Sequence, residues 1–226
     1  MRTRTGSLER RLVLGAVVAG LLVHGLQLGA YAAVRAAVDR REQVSELRLD
    51  AAMETFRPVD RSGLAQPADV ATFAADRNPR TEPTRCRALT ALTTTAPLDG
   101  RSWTGVNGRP AQPVTLLTVR FADAGAARAE LDRKRWALLR CTRVVVTFPP
   151  YDAPPTSYEV GGRRVSSAVG DTVRWSLVDD GRRFDFYVRR YGNTLSWTYA
   201  DDVSTPAVRE QVADSLVDRL KDLAGR

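Results

Sequence analysis

A chain of 226 residues, 43% hydrophobic and 27% charged, can bury one domain core with some attachment besides, which excludes the disordered class. The net charge of +8 is carried almost wholly by scattered arginines, since Lys134 and Lys221 are the only lysines. It reads as a general solvated surface, and nucleic acid is not an expected partner. The single histidine, His24, lies in an apolar N-terminal run, so Ser/His/Asp triads, Cys/His dyads and histidine metal centres are excluded from the rest of the chain.

In chain order, residues 1–11, "MRTRTGSLERR", form a basic tail with a cytoplasmic expectation. Leu12 to Val34 then runs without a charge, and a bilayer core needs about 20 apolar residues in a helix. Two fates fit residues 12–34. One is a retained transmembrane anchor in contact with the lipid bilayer, giving a single-pass protein with an extracytoplasmic C-terminal domain. The other is a secretory signal cleaved near Ala32, because Ala30-Tyr31-Ala32 matches the small-x-small pattern. No cysteine lies in this segment, which excludes a lipoprotein anchor. Either fate places the remainder outside the cytosol, where two cysteines pair by default. A Cys86–Cys141 bridge would close a loop of 55 residues, worth roughly 4 kcal/mol in the chain-entropy picture. Two free buried thiols are the alternative.

Residues 33–57 lack glycine and proline, and Val34, Val38, Val44, Leu47 and Ala51 recur at helical spacing. A juxtamembrane helix is expected over 35–57. Residues 58–83, rich in proline, aspartate and small side chains, read as a linker or irregular lead-in. An extracytoplasmic domain is expected over 84–226. It opens with the strand "RSWTGV", the turn "NGRPAQP" and the strand "VTLLTVRF". Asp123 caps a helix in which Ala127, Leu131 and Leu138 share a face. "TRVVVTF" is a strand and "PPYDAPP" a loop. "YEVGGRRVSSAV", "TVRWSLV", "RFDFYVRRY" and "TLSWTYA" alternate with period two, turned at Gly181 and Gly192, with Gly161-Gly162 as a turn or bulge. The last helix takes Thr205 as cap and Pro206 at its first position, with Val208, Val212, Leu216, Leu220 and Leu223 as its apolar stripe. The expected fold class is α+β: a mostly antiparallel five- to six-stranded sheet packed on one face by two helices, preceded by an N-terminal transmembrane helix.

If both helices cover the face of Trp175, Phe186 and Trp197, the other face displays arginine beside tyrosine. Arg174, Tyr187, Arg189 and Tyr191 are then the candidate ligand-binding residues, suited to an anionic or sugar-like envelope ligand. Cross-strand pairing on a solvated face accounts for the same pattern. Glu159, Asp171, Asp179, Asp180 and Asp185 would be the acids of a carboxylate hydrolase. Turn chemistry explains Asp179 and Asp180 better, and no calcium-type spacing is present. Neither metal nor cofactor is expected, and the chain is not expected to be an enzyme.

The stretch "FADAGAARAELDRKRWALLRCTRVVVTF" resembles the PknH-like extracellular domain of actinobacteria, in which an alanine-rich helix leads through a W-x-x-C-type junction to a valine-rich strand. Here Trp136 and Cys141 are five apart rather than three. Cys86 before "RSWTGV", the Gly192-Asn193 turn and the closing helix from Thr205 to Ala224 extend the likeness over roughly residues 50–226. The resemblance implies an antiparallel sheet with packed helices and a groove, and a role in ligand sensing. A second family disulfide would fall where this chain has Phe184, Phe186 and Thr198. No kinase accompanies the domain here, so an inward signal would need a membrane protein partner. The expected function is thus a membrane-anchored, non-catalytic, sensor-like domain in which Trp136 packs at the disulfide seam. A structural component of an envelope assembly, joined through residues 33–57, is the alternative, and a secreted carboxylate hydrolase is a weaker one.

Overall fold

The computed structural model describes residues 6–56, 64–67, 79–107, 112–165, 170–201 and 206–225. It divides into Met1–Arg41 and Glu42–Arg226. The first unit is a single 36-residue helix, α1 (Gly6–Arg41), which contains the uncharged run 12–34. The tail at residues 1–5 and the side chains before His24 lie outside the described residues. Among the described residues, no helix is long and apolar enough to cross a membrane.

The expected continuous helix over 35–57 is interrupted. Ser45 takes extended backbone and accepts a hydrogen bond from the Arg48 amide, so a second helix, α2 (Glu46–Glu54), starts there. Asn193 fixes the break from the other side. Its side chain is fully buried, accepting from the Val44 amide at 2.8 Å and donating to the carbonyls of Val44 at 3.2 Å and Phe121 at 2.9 Å. Gly192 makes this approach possible. Its φ is +53°, and a Cβ there would lie 2.0 Å from the Glu42 carbonyl oxygen. Leu49, Ala52 and Met53 of α2 are buried within the second unit, so the domain core begins well before residue 84.

Among the described residues the sheet has nine strands, all antiparallel, against the five or six expected. They are β1 (Leu64–Pro67), β2 (Arg80–Glu82), β3 (Asp99–Asn107), β4 (Gln112–Arg120), β5 (Arg143–Thr147), β6 (Thr156–Val165), β7 (Thr172–Asp179), β8 (Arg182–Tyr191) and β9 (Thr194–Asp201). The spatial order is β1-β3-β4-β9-β8-β7-β6-β5-β2. Both edges, β1 and β2, come from the segment expected to be a linker. They are short, and β1 ends in a proline, a combination that closes a sheet against further pairing. The rest of that segment, residues 57–63 and 68–78, lies outside the described residues, as do the turn at 108–111 and the cap at Thr205.

Helix α3 (Ala124–Arg140) joins β4 to β5, with Asp123 accepting from the Ala126 amide at its start. Helix α4 (Pro206–Asp222) closes the chain. The two do not share a face, contrary to expectation. Ala127, Leu131, Ala137 and Leu138 of α3 pack with Trp175, Val188, Leu195 and Trp197 in one core, joined by Leu89 of a 3-10 helix, Thr84–Leu89. Val212, Ala213, Leu216 and Leu220 of α4 pack with α2, Trp103, Leu116, Tyr187 and Tyr191 in a second core on the other side. The reason lies in the alternation itself. Tyr187 and Tyr191 are large enough to form a core floor, and Thr118, Ser196 and Thr198 are small enough to let α4 approach. The Thr198 hydroxyl donates to the Arg209 carbonyl at 3.1 Å.

The cysteines pair as expected, with Cys86 in the 3-10 helix and Cys141 as the C-cap of α3, 5.9 Å apart between Cα atoms. Trp136 does not pack at this seam: it is 58% exposed. The buried stripe of α3 passes through Glu130 and Lys134 instead, both fully buried.

Candidate ligand cleft

The register between β6 and β7 shifts between Gly161 and Arg164, so the glycine pair is a bulge, with Gly162 at φ +59°. The bulge leaves a cleft of about 350 Å³ on the α4 side of the sheet. Arg174, Arg183, Asp185 and Tyr187 line it from β7 and β8, and Arg209 and Glu210 from the first turn of α4. Arg174 Nη1 pairs with Glu210 Oε1 at 2.6 Å, while its guanidinium lies 5.3 Å from the centre of the Tyr187 ring. Asp185 is held twice, by Arg183 Nε and by Arg209 Nη2, each at 2.8 Å. Arg209 is 3% exposed, and burial lowers its pKa against the pull of Asp185.

Among the described residues, three arginines and two carboxylates line the cleft, one positive charge in excess. The hydroxyl of Ser176, a residue 1% exposed, lies where a Cβ on Gly162 would come within 3.0 Å, and it has no hydrogen-bond partner among the described residues. An unpaired buried hydroxyl beside a net positive cleft suits a ligand bearing an anionic or hydroxyl group.

Two of the four predicted ligand residues, Arg174 and Tyr187, meet in this cleft. Tyr187 is 3% exposed and donates to Asp214 Oδ1 at 3.0 Å; burial pushes its hydroxyl pKa up to about 12, with Arg189 opposing. Arg189 sits away from the cleft lining, 2.8 Å from the same Asp214 oxygen. Burial works against its charge, but Tyr187 and Asp214 outweigh that and raise its pKa. Tyr191 is buried against α2, its hydroxyl accepting from Arg48 at 3.2 Å. The open arginine–tyrosine face expected from the sequence is thus largely roofed by α4 and α2.

Of the acids weighed for hydrolysis, Asp185 is spent on its two arginines, and Asp171 accepts from buried Arg190 at 2.7 Å. Asp179 and Asp180 sit at the β7–β8 turn, Asp180 at φ +36° and Gly181 at +89°, and Glu159 faces Arg143 across the β5–β6 register. Arg183 was not among the expected ligand residues, although its alternation with Asp185 and Tyr187 along β8 is a signal that could have found it. Arg209 and Glu210 left no such signal, because nothing local says which face α4 covers.

No family model matches the chain, and no curated protein matches it. Among solved structures, an uncharacterised protein from Mycobacterium smegmatis aligns at TM-score 0.40 and 13% identity, over 76% of this chain and 95% of its own. The extracellular domain of PknH from Mycobacterium tuberculosis aligns at TM-score 0.54 and 13% identity, over 80% of this chain and 93% of its own. At that identity the likeness establishes architecture: residues of this chain share the α+β fold of the PknH extracellular domain.

Proposed function

We propose that this chain is a membrane-anchored, extracytoplasmic and non-catalytic domain that holds an anionic or sugar-like envelope ligand in the cleft at Arg174 and Tyr187. The observation that carries the reading is the arginine excess of that cleft beside the unpaired Ser176 hydroxyl. Three others support it. The uncharged run Leu12–Val34 lies within one helix, the disulfide suits an oxidising compartment, and the fold is shared with the extracellular domain of PknH. Membership of the PknH-like extracellular family belongs to the same proposal. Val38 and Leu47 are exposed within residues 33–57, which favours a second reading: that stretch pairs with a partner helix in an envelope assembly.

The test is thermal unfolding of the full chain in neutral detergent with muramyl dipeptide, glycerol phosphate and glucuronate. A ligand at one hundred times its Kd adds about 2.7 kcal/mol, or roughly 5 °C or more in a domain of this size. At least one fragment should raise Tm by that amount, and Arg174→Gln with Arg183→Gln should abolish the rise. No shift with any fragment, or a shift untouched by the double variant, would count against the cleft.

A further inference from the structure

A second concave surface lies on the α3 side of the sheet, between the 3-10 helix and the C-terminal half of α3. It measures about 310 Å³ and is lined by Arg85, Arg87, Arg133, Arg140 and Trp136, with Thr84 and Thr94 beside them. We propose that this pocket binds a sugar phosphate, with the indole of Trp136 stacking on the sugar ring and the arginines receiving the phosphate.

Charge is the first argument. Among the described residues four arginines line the pocket; Arg87 and Arg133 have partners of their own, and the carboxylate beside them, Glu130, is fully buried and already committed. Its oxygens accept from the Thr94 amide at 2.9 Å and the Thr94 hydroxyl at 2.6 Å, and pair with Arg133 at 2.8 Å. Among the described residues no ion pair involves Arg85 or Arg140. Arg85 and Arg140, with no carboxylate matching them among the described residues, leave positive charge at the pocket that a phosphate dianion, which arginine grips bidentately, neutralises.

Trp136 supplies the second argument. Trp103, Trp175 and Trp197 are 1–2% exposed, whereas Trp136 is 58% exposed, with Arg140 stacked 5.1 Å from its ring centre. An exposed indole next to unpaired cations offers one flat apolar surface and one charged edge. A sugar phosphate has the matching pair: a ring with a C–H face, and an anion a few ångströms away.

Rigidity is the third. The Cys86–Cys141 bridge ties one wall of the pocket to the other. Lys134 crosses the same gap, donating to the carbonyls of Ala88 at 3.0 Å and of Ala91 and Leu92 at 3.2 Å. A pocket whose walls are linked twice loses little freedom on binding. The placement of a cysteine at the end of α3, five residues after Trp136, gains a purpose on this reading.

The test uses acrylamide quenching of tryptophan emission in the full chain in neutral detergent, because Trp136 is the accessible indole. Glucose 6-phosphate and glycerophosphoinositol are the probes, with glucose and inorganic phosphate as controls. Saturable shielding is expected with at least one probe, at least tenfold tighter than with either control. A preference for the monoester assigns a free sugar phosphate, and a preference for the diester assigns a lipid headgroup. Arg85→Gln with Arg140→Gln should weaken binding tenfold or more at unchanged Tm, since both side chains are exposed. Trp136→Phe should remove the signal, and Arg174→Gln in the other cleft should leave it intact. Equal shielding by glucose or by inorganic phosphate overturns the proposal. So does indifference to the arginine pair, or tighter binding of a short oligothymidylate.

Discussion

Replacing Cys86 and Cys141 together by alanine is expected to lower the unfolding free energy by about 4 kcal/mol, the chain-entropy value for a loop of this length. The bridge spans a sequence separation of 55, so the oxidised unfolded chain is deprived of much of its freedom. Alanine is the informative substitution because Cys86 is fully buried and Cys141 is 2% exposed, and a serine hydroxyl there would add a desolvation cost of its own. Urea titration of the oxidised, reduced and double-alanine forms measures the difference. The reduced and alanine forms should agree with each other, and both should fall below the oxidised form. Equal midpoints for all three would mean that packing around the 3-10 helix, rather than the covalent link, holds the two elements together.

A comparable loss is expected from Lys134→Met. The ammonium is fully buried, donates to the carbonyls of Ala88 in the 3-10 helix and of Ala91 and Leu92 just after it, lies 3.9 Å from the Trp197 ring centre and pairs with Glu130 at 3.5 Å. Removing one partner of a buried pair costs about 3–5 kcal/mol, since the other groups stay desolvated. The pH dependence separates this from simple repacking. Burial lowers the Lys134 pKa to about 7, with Glu130 resisting the fall, while an unfolded lysine titrates near 10.4. Between those values the unfolded chain binds more protons than the folded one, so this group makes stability rise with pH from about 7 to about 10, by at most about 1.4 kcal/mol per pH unit. Burial alone would raise the pKa of Glu130, but Lys134, Thr94 and Arg133 outweigh it and hold it below the usual carboxylate range. Its contribution is therefore lost as pH falls through the acid range. Denaturant midpoints of wild type and Lys134→Met from pH 6 to 10 should show the alkaline rise in the first and a flat profile in the second. A rise of equal size in both would assign it to another group.

Local chemistry made much of the fold legible. Asp123 has the side chain a helix cap requires, Gly181 and Gly192 have the freedom their turns demand, and the cysteine pairing was expected because the chain has only two cysteines and an apolar N-terminal run. Three features depended on tertiary placement. Which face α4 covers is fixed by Tyr187, Tyr191 and the small hydroxyl residues of β4 and β9, and only the register brings those together. The non-helical backbone at Val44, before α2, depends on Asn193, 149 residues further on. The buried Glu130–Lys134 pair did leave a trace, because both letters fall on the stripe of Ala127, Leu131 and Leu138. A polarity rule reads them as surface, however, and assigns the large Trp136 to the core in their place. The cleft shows the same division. The sheet-borne half, Arg174 and Tyr187, was visible as alternation, and the helix-borne half, Arg209 and Glu210, was not.

Every functional reading made here depends on the second unit lying where thiols oxidise. The direct measurement is alkylation of unfractionated native cells without reductant, followed by membrane isolation and peptide mass spectrometry. Recovery from the membrane fraction of a linked Cys86–Cys141 peptide, with neither sulfur alkylated, is the predicted result. Alkylation of both sulfurs, or recovery of the chain from the cytosolic fraction, would contradict it.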